Sequence, residues 1–177
     1  MMRKISFQFL VLAVFVAAFA PFPASANFEW RRDKFVAGAG FGFTSGPSSL
    51  SLNGELSYFF TDNLSITPRF SLGLDNDFTL FLIMADLRYT FDIRDHTLQN
   101  LKPFVGFGAG ISFINVDYGN RGDDSDAAFT FEIPFGFDYY FDDRFALGTQ
   151  MEMVIPIDLF NDNFIFQWLV ITGRYAF

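Results

Sequence analysis

Eight charged residues in this chain sit at strand-like positions that alternate with an apolar face: Glu55, Arg69, Asp86, Arg88, Glu132, Asp138, Glu152 and Arg174. Carboxylates in pairs can move protons, and carboxylates beside arginines can bind an ion or neutralise one another. Charges held on the inner side of a fold are desolvated and must find partners. Five acids among three arginines therefore point first to a hydrogen-bonded ion-pair network. An ion or small-solute path past the same groups is the second reading, and catalysis the third.

Other chemistry is thinner. Gly38-Ala39-Gly40-Phe41-Gly42 and Gly106-Phe107-Gly108-Ala109-Gly110 are glycine-rich, but their spacing of two puts all three glycines of each set on one face. A dinucleotide loop needs G-x-G-x-x-G opening a helix. Small residues lining a narrow lumen, beside bulky neighbours such as Phe104 and Tyr140, fit the spacing instead. The single histidine, His96, lies in the link Asp92–Leu101, where no strand-borne serine can join it, and one histidine does not hold a metal. No catalytic residue, cofactor or metal is expected. The stretch Asn115–Ala127 reads as a loop carrying Asp117, Asp123, Asp124 and Asp126, oxygens that a calcium ion could use. Its spacing matches no calcium loop, so a solvated acidic loop is the plainer reading. It also contains Arg121-Gly122-Asp123, a tripeptide read by some adhesion receptors, and is the place to expect a surface ligand. Asn63-Leu64-Ser65 fits a glycosylation sequon but sits where a tight turn is expected.

The elements that must carry these residues follow from alternation with period 2, the mark of strands with unlike faces. From Phe129 to Asp142 the odd positions are Phe129, Phe131, Ile133, Phe135, Phe137, Tyr139 and Phe141, and the even ones include Glu132 and Asp138. Seven more runs read the same way, over 35–43, 50–60, 64–74, 81–91, 105–113, 145–155 and 165–177. In the last, Ile165, Gln167, Leu169, Ile171, Gly173, Tyr175 and Phe177 fall on the apolar outer face. Phe166, Trp168, Val170, Thr172, Arg174 and Ala176 then fall inside. Gln167, Trp168 and Pro68 fit this scheme least well. An inner apolar tract of Val36, Phe59, Leu82, Met84, Ile114, Val154, Phe166, Trp168 and Val170 is expected.

Runs of about 10 residues or more suffice for tilted strands to cross a bilayer, and a sheet that spans lipid must close on itself. Links 61–63, 92–101 and 142–144 fall at one end, and links near 45–49, 75–77, 115–127 and 157–163 at the other. Tyr58, Phe60, Tyr89, Phe91, Tyr139, Phe141, Phe145, Tyr175 and Phe177 gather toward the first end, as an interfacial girdle would.

Composition agrees. Phenylalanine supplies 28 of 177 residues, and there is no cysteine. Arg3 and Lys4, the charge-free run Ile5–Ala20 and Ala24-Ser25-Ala26 form a cleavable secretory signal with the cut before Asn27. Residues 1–26 hold two basic and no acidic residues, so the charge of −8 becomes −10 for a single domain over 27–177. Such a balance argues against nucleic acid as a partner.

Three stretches carry a resemblance: Tyr58-Phe59-Phe60-Thr61-Asp62-Asn63-Leu64, Pro103–Gly110 and Gly136–Phe145. On these the chain resembles the small outer-membrane β-barrel superfamily of the OmpA membrane domain, the OmpX/Ail adhesins and OmpW. The terminal Gly173-Arg174-Tyr175-Ala176-Phe177 looks like that superfamily's insertion signal, with Tyr175 and Phe177 read by the barrel-assembly machinery. The resemblance implies an all-β, eight-stranded, antiparallel up-and-down transmembrane barrel. It would sit in the outer membrane of a Gram-negative bacterium as a monomer, against lipid and lipopolysaccharide. A largely plugged barrel with a structural or surface-interaction role is the expected function, and a narrow OmpW-like channel or carrier for small hydrophobic or ionic solutes the alternative. The superfamily's lipid A-modifying enzymes need a histidine near a serine at the outer face, where His96 does not lie.

Overall fold

A computed structural model describes residues 31–45, 48–75, 78–93, 95, 97–117, 123–157 and 165–177. The signal segment, His96, Arg121 and Gly122 lie outside the described residues. Eight strands form one closed antiparallel barrel: β1 (Phe35–Ser45), β2 (Ser49–Phe59), β3 (Leu64–Leu74), β4 (Phe78–Thr90), β5 (Leu101–Asp117), β6 (Asp123–Tyr140), β7 (Phe145–Pro156) and β8 (Ile165–Ala176). Each strand pairs with its neighbour in sequence, and β1 closes on β8 from Val36↔Ala176 to Ser45↔Phe166. Closure satisfies every strand edge without help from solvent.

The alternation sets the two walls. Phe41, Phe43, Phe70, Ile83, Leu87, Phe129 and Ile171 are among the large apolar side chains exposed on the outer wall. At the end that carries the tight turns, aromatic rings of this wall meet: Phe35 with Tyr58 at 5.0 Å, Tyr89 with Phe91 at 5.0 Å and Tyr139 with Phe141 at 5.2 Å between centroids. The terminal Phe177 stacks on Phe35 at 6.1 Å, and its N–H donates to the Phe35 carbonyl. Tyr175, too, points outward. In the β6–β7 turn, Asp142 Oδ1 accepts from the N–H groups of Arg144 and Phe145, both at 2.7 Å. Those two donors hold the Asp142 carboxyl below the usual carboxylate range.

Prolines interrupt single ladders without breaking strands. Pro68 faces the outer wall and keeps its pairing with Ala85 of β4, while the β2–β3 register runs unbroken from Glu55↔Arg69 to Tyr58↔Ile66 across a gap at Pro68. Proline lacks the N–H that the β2 side would need.

Two sequence expectations need correction. The first concerns β8. Its ladder with β1 steps from Phe41↔Ile171 to Gly42↔Leu169, and its ladder with β7 from Gly148↔Thr172 to Gln150↔Leu169. One extra residue, Val170, forms a β-bulge, and a bulge reverses the alternation beyond it. Ile165, Gln167 and Leu169 are therefore buried in the lumen, and Trp168 is exposed outside. Phe166, Trp168 and Val170 do not form part of an inner tract. The bulge is satisfied locally: Thr149 Oγ1 donates to the Leu169 carbonyl at 2.8 Å and accepts from Trp168 Nε1 at 3.0 Å.

The second correction concerns 115–127. The β5–β6 ladder continues to Asn115↔Ser125 and Asp117↔Asp123, so most of the expected loop is a projecting two-stranded ribbon. Backbone pairing needs no apolar face, so the strands continue after the alternation has ended.

Candidate functional site

The lumen collects the polar side chains of all eight strands, and two of those strands make room for the rest. The inner face of β1 carries Gly38, Gly40 and Gly42, and that of β5 carries Gly106, Gly108 and Gly110. With eight strands in sequential order, β1 and β5 lie on opposite walls. Gly38 stands between Glu55 of β2 and Arg174 of β8, and Gly108 between Asp86 of β4 and Glu132 of β6. A Cβ at Gly38 would stand 2.8 Å from Glu55 Cγ and 3.2 Å from Arg174 Cγ. The glycines thus let flanking charged side chains lean across them and touch.

All eight of the expected charged residues point inward, and none is more than 9% exposed. They form a ring. Arg174 Nε meets Glu55 Oε1 at 2.5 Å, and Arg88 Nη1 meets Glu55 Oε2 at 2.9 Å. Arg88 Nη2 reaches Asp86 Oδ2 at 3.0 Å, and Arg69 Nε lies 3.6 Å from the same oxygen. Arg69 also pairs with Glu132 through Nη2 and with Glu152 through Nη1. Gln150 closes the ring, donating to Glu152 Oε1 at 2.6 Å and accepting from Arg174 Nη2 at 2.7 Å. Asp138 attaches to Arg174 Nη1. Phe104 lies between two guanidiniums, its centroid 5.4 Å from Arg88 Cζ and 5.2 Å from Arg174 Cζ. Cations over an aromatic face in a desolvated site gain about 2 kcal/mol.

Apolar layers flank this ring. Toward the loop end, Phe78, Leu80, Leu82, Met84, Ile114, Val154 and Ile165 form a buried cluster, with Leu82 and Val154 fully inaccessible. Toward the turn end, Val36, Phe59 and Ala176 form a floor. A void of about 20 Å³ lies between floor and ring, beside Ser57, Thr90, Arg88 and Arg174. That is room for roughly one water molecule.

Beneath the floor is a second polar group that alternation could not reveal. Asp92, just past the end of β4, accepts from Arg31 Nη2 at 2.6 Å and Lys102 Nζ at 2.7 Å through Oδ1, and from Asn63 Nδ2 at 2.9 Å through Oδ2. Arg31 is fully buried, with its guanidinium 5.7 Å from the Phe59 ring. Asp33, at φ 61°, turns the chain so that Arg31 tucks under the barrel mouth. Aspartate tolerates that left-handed conformation better than most residues. The hub lies in the links, where no periodicity announces it. Gln150, by contrast, was legible as an inward neighbour of Glu152.

Among solved structures, the chain is similar to the N-terminal β-barrel domain of Pseudomonas aeruginosa OprF. The two are 16% identical over 82% of this chain and 98% of that one, with a TM-score of 0.65. Neisserial surface protein A is 18% identical over 81% of this chain and 96% of its own, also at 0.65. The outer membrane protein OprG of Pseudomonas aeruginosa is 14% identical over 83% and 97%, at 0.60. At these identities the likeness is one of fold. No curated protein matches the chain at the level of sequence. A family model does match, over residues 9–164, and the chain belongs to the family it describes, the outer membrane protein beta-barrel domain.

Proposed function

We propose that this outer-membrane barrel is a sealed one, acting as a structural or surface-interaction protein rather than as a conduit or an enzyme. The observation that carries this reading is the layering of the lumen: an apolar cluster around Leu82 over a ring of ion pairs closed by the hydrogen bonds of Gln150. An eight-stranded barrel is just wide enough for side chains to fill. In this reading residues 1–26 are removed on export, and the end bearing the tight turns faces the periplasm. The projecting β5–β6 ribbon is then the part that reaches a surface partner.

Planar-bilayer recording of the purified barrel is the test. The sealed reading expects no large, stable unitary conductance from the wild type. A steady open level that Arg69→Ala or Arg88→Ala alters would establish the ring as the wall of a pore and overturn it.

A carrier for small hydrophobic solutes is the second reading, favoured by one feature. At the loop-end rim a groove of about 590 Å³ lies between Phe43, Leu50, Leu74, Phe166 and Trp168, with Thr44, Ser49 and Asp75 beside them. Swelling of liposomes in candidate solutes, with and without Trp168→Ala, would detect such a route.

A further inference from the structure

The register sets Asp86, Gly108 and Glu132 side by side on β4, β5 and β6, all facing the lumen. Glycine in the middle puts no side chain between the two acids, so both carboxyl groups lean over it toward the same point. A Cβ placed on Gly108 would run into Asp86 Oδ1 and stand 3.1 Å from Glu132 Oε1. Both residues are buried, at 1% and 0% exposure. The charged groups facing them are Arg69 from β3, Arg88 beside Asp86 on β4 and Glu152 from β7.

These neighbours leave part of the pair unserved. Asp86 Oδ1 and Glu132 Oε2 have no hydrogen-bond donor. Two ionised carboxylates converging on one point repel, and their oxygens can bond to each other only through a proton. The charge balance agrees. Among the described residues the lumen and the polar group beneath its floor together hold six carboxyl groups, Glu55, Asp86, Asp92, Glu132, Asp138 and Glu152. Against them stand five cations, Arg31, Arg69, Arg88, Lys102 and Arg174. One added positive charge makes the set neutral, as burial demands.

We infer that Asp86 and Glu132 form a proton-binding site, a carboxyl–carboxylate pair that shares one proton at neutral pH across Gly108. The proton supplies the donor that the two orphaned oxygens lack. The pair is part of the same ring that fills the lumen, but its protonation is separate from whether the lumen conducts.

Infrared difference spectroscopy of the barrel folded in lipid vesicles, with isotope-labelled aspartate or glutamate carboxyl groups, tests this. The wild type should show the C=O stretch of a protonated carboxyl at neutral pH, shifted by one or both labels. Asp86→Asn or Glu132→Gln should abolish it, because an amide brings its own donor. Absence of the band from the wild type, or a band intact in both variants, would overturn the inference. So would a missing band together with a folded state that depends on added sodium, since a bound cation would then hold the place of the proton. A conducting barrel that keeps the band sinks only the sealed reading, and a silent barrel without it sinks only the shared proton.

Discussion

Arg69→Ala is expected to cost the barrel about 3–5 kcal/mol of unfolding free energy, the range for removing one partner of a buried ion pair. Arg69 is the only arginine in contact with Glu132 and Glu152 among the described ion pairs, and it shares Asp86 with Arg88. Its removal strands buried carboxylates without their counter-charge. The penalty arises from those stranded charges rather than from the lost contacts. Adding Glu132→Gln and Glu152→Gln to Arg69→Ala should therefore restore a large part of the loss. Arg32→Ala is the control, because Arg32 lies 3.9 Å from Asp33 with its side chain 68% exposed, and exposed pairs contribute little. Urea titration in detergent micelles, followed by tryptophan fluorescence, measures all three. Equal stability of wild type and Arg69→Ala would mean that solvent reaches the ring.

The second large effect is expected above the ring. Leu82→Ala should lose about 2–5 kcal/mol, the range for Leu→Ala with a residual cavity. Leu82 is fully buried among Leu80, Met84, Ile114 and Val154. Its neighbour Ile83 is half exposed on the outer wall, so Ile83→Ala leaves no enclosed cavity and should cost less under the same titration. An equal loss at both positions would mean that the cluster at 82 is no better packed than the lipid-facing surface.

The barrel was readable because period-2 alternation is imposed on every strand by two unlike surroundings. The charged ring was readable for the same reason: each member occupies an inner-face position between apolar outer-face neighbours. Reading failed where a local event reset the phase. Val170 adds one residue to β8, and strict alternation carried through it placed Trp168 inside and Gln167 outside. The awkwardness of those two residues was the signal of the bulge. Asp92, Arg31 and Lys102 were missed because their meeting depends on how a turn and the segment before β1 fold under the floor. The glycines of β1 and β5 were legible as small residues on one face. That they stand between particular acids and arginines needed the register.

The sealed lumen is the central claim, and thiol accessibility probes it directly because the chain has no native cysteine. Ser112 is fully buried in the lumen, paired in register with Leu82 and hydrogen-bonded to Thr130 at 2.8 Å. Ser112→Cys changes one atom there, and Ser48→Cys places the same thiol on the exposed β1–β2 link. In folded barrels in vesicles, a small water-soluble maleimide should label the cysteine at 48 rapidly and leave the one at 112 unmodified until the barrel is unfolded. Labelling at 112 as fast as at 48 in the folded state would show water in the lumen and contradict the account.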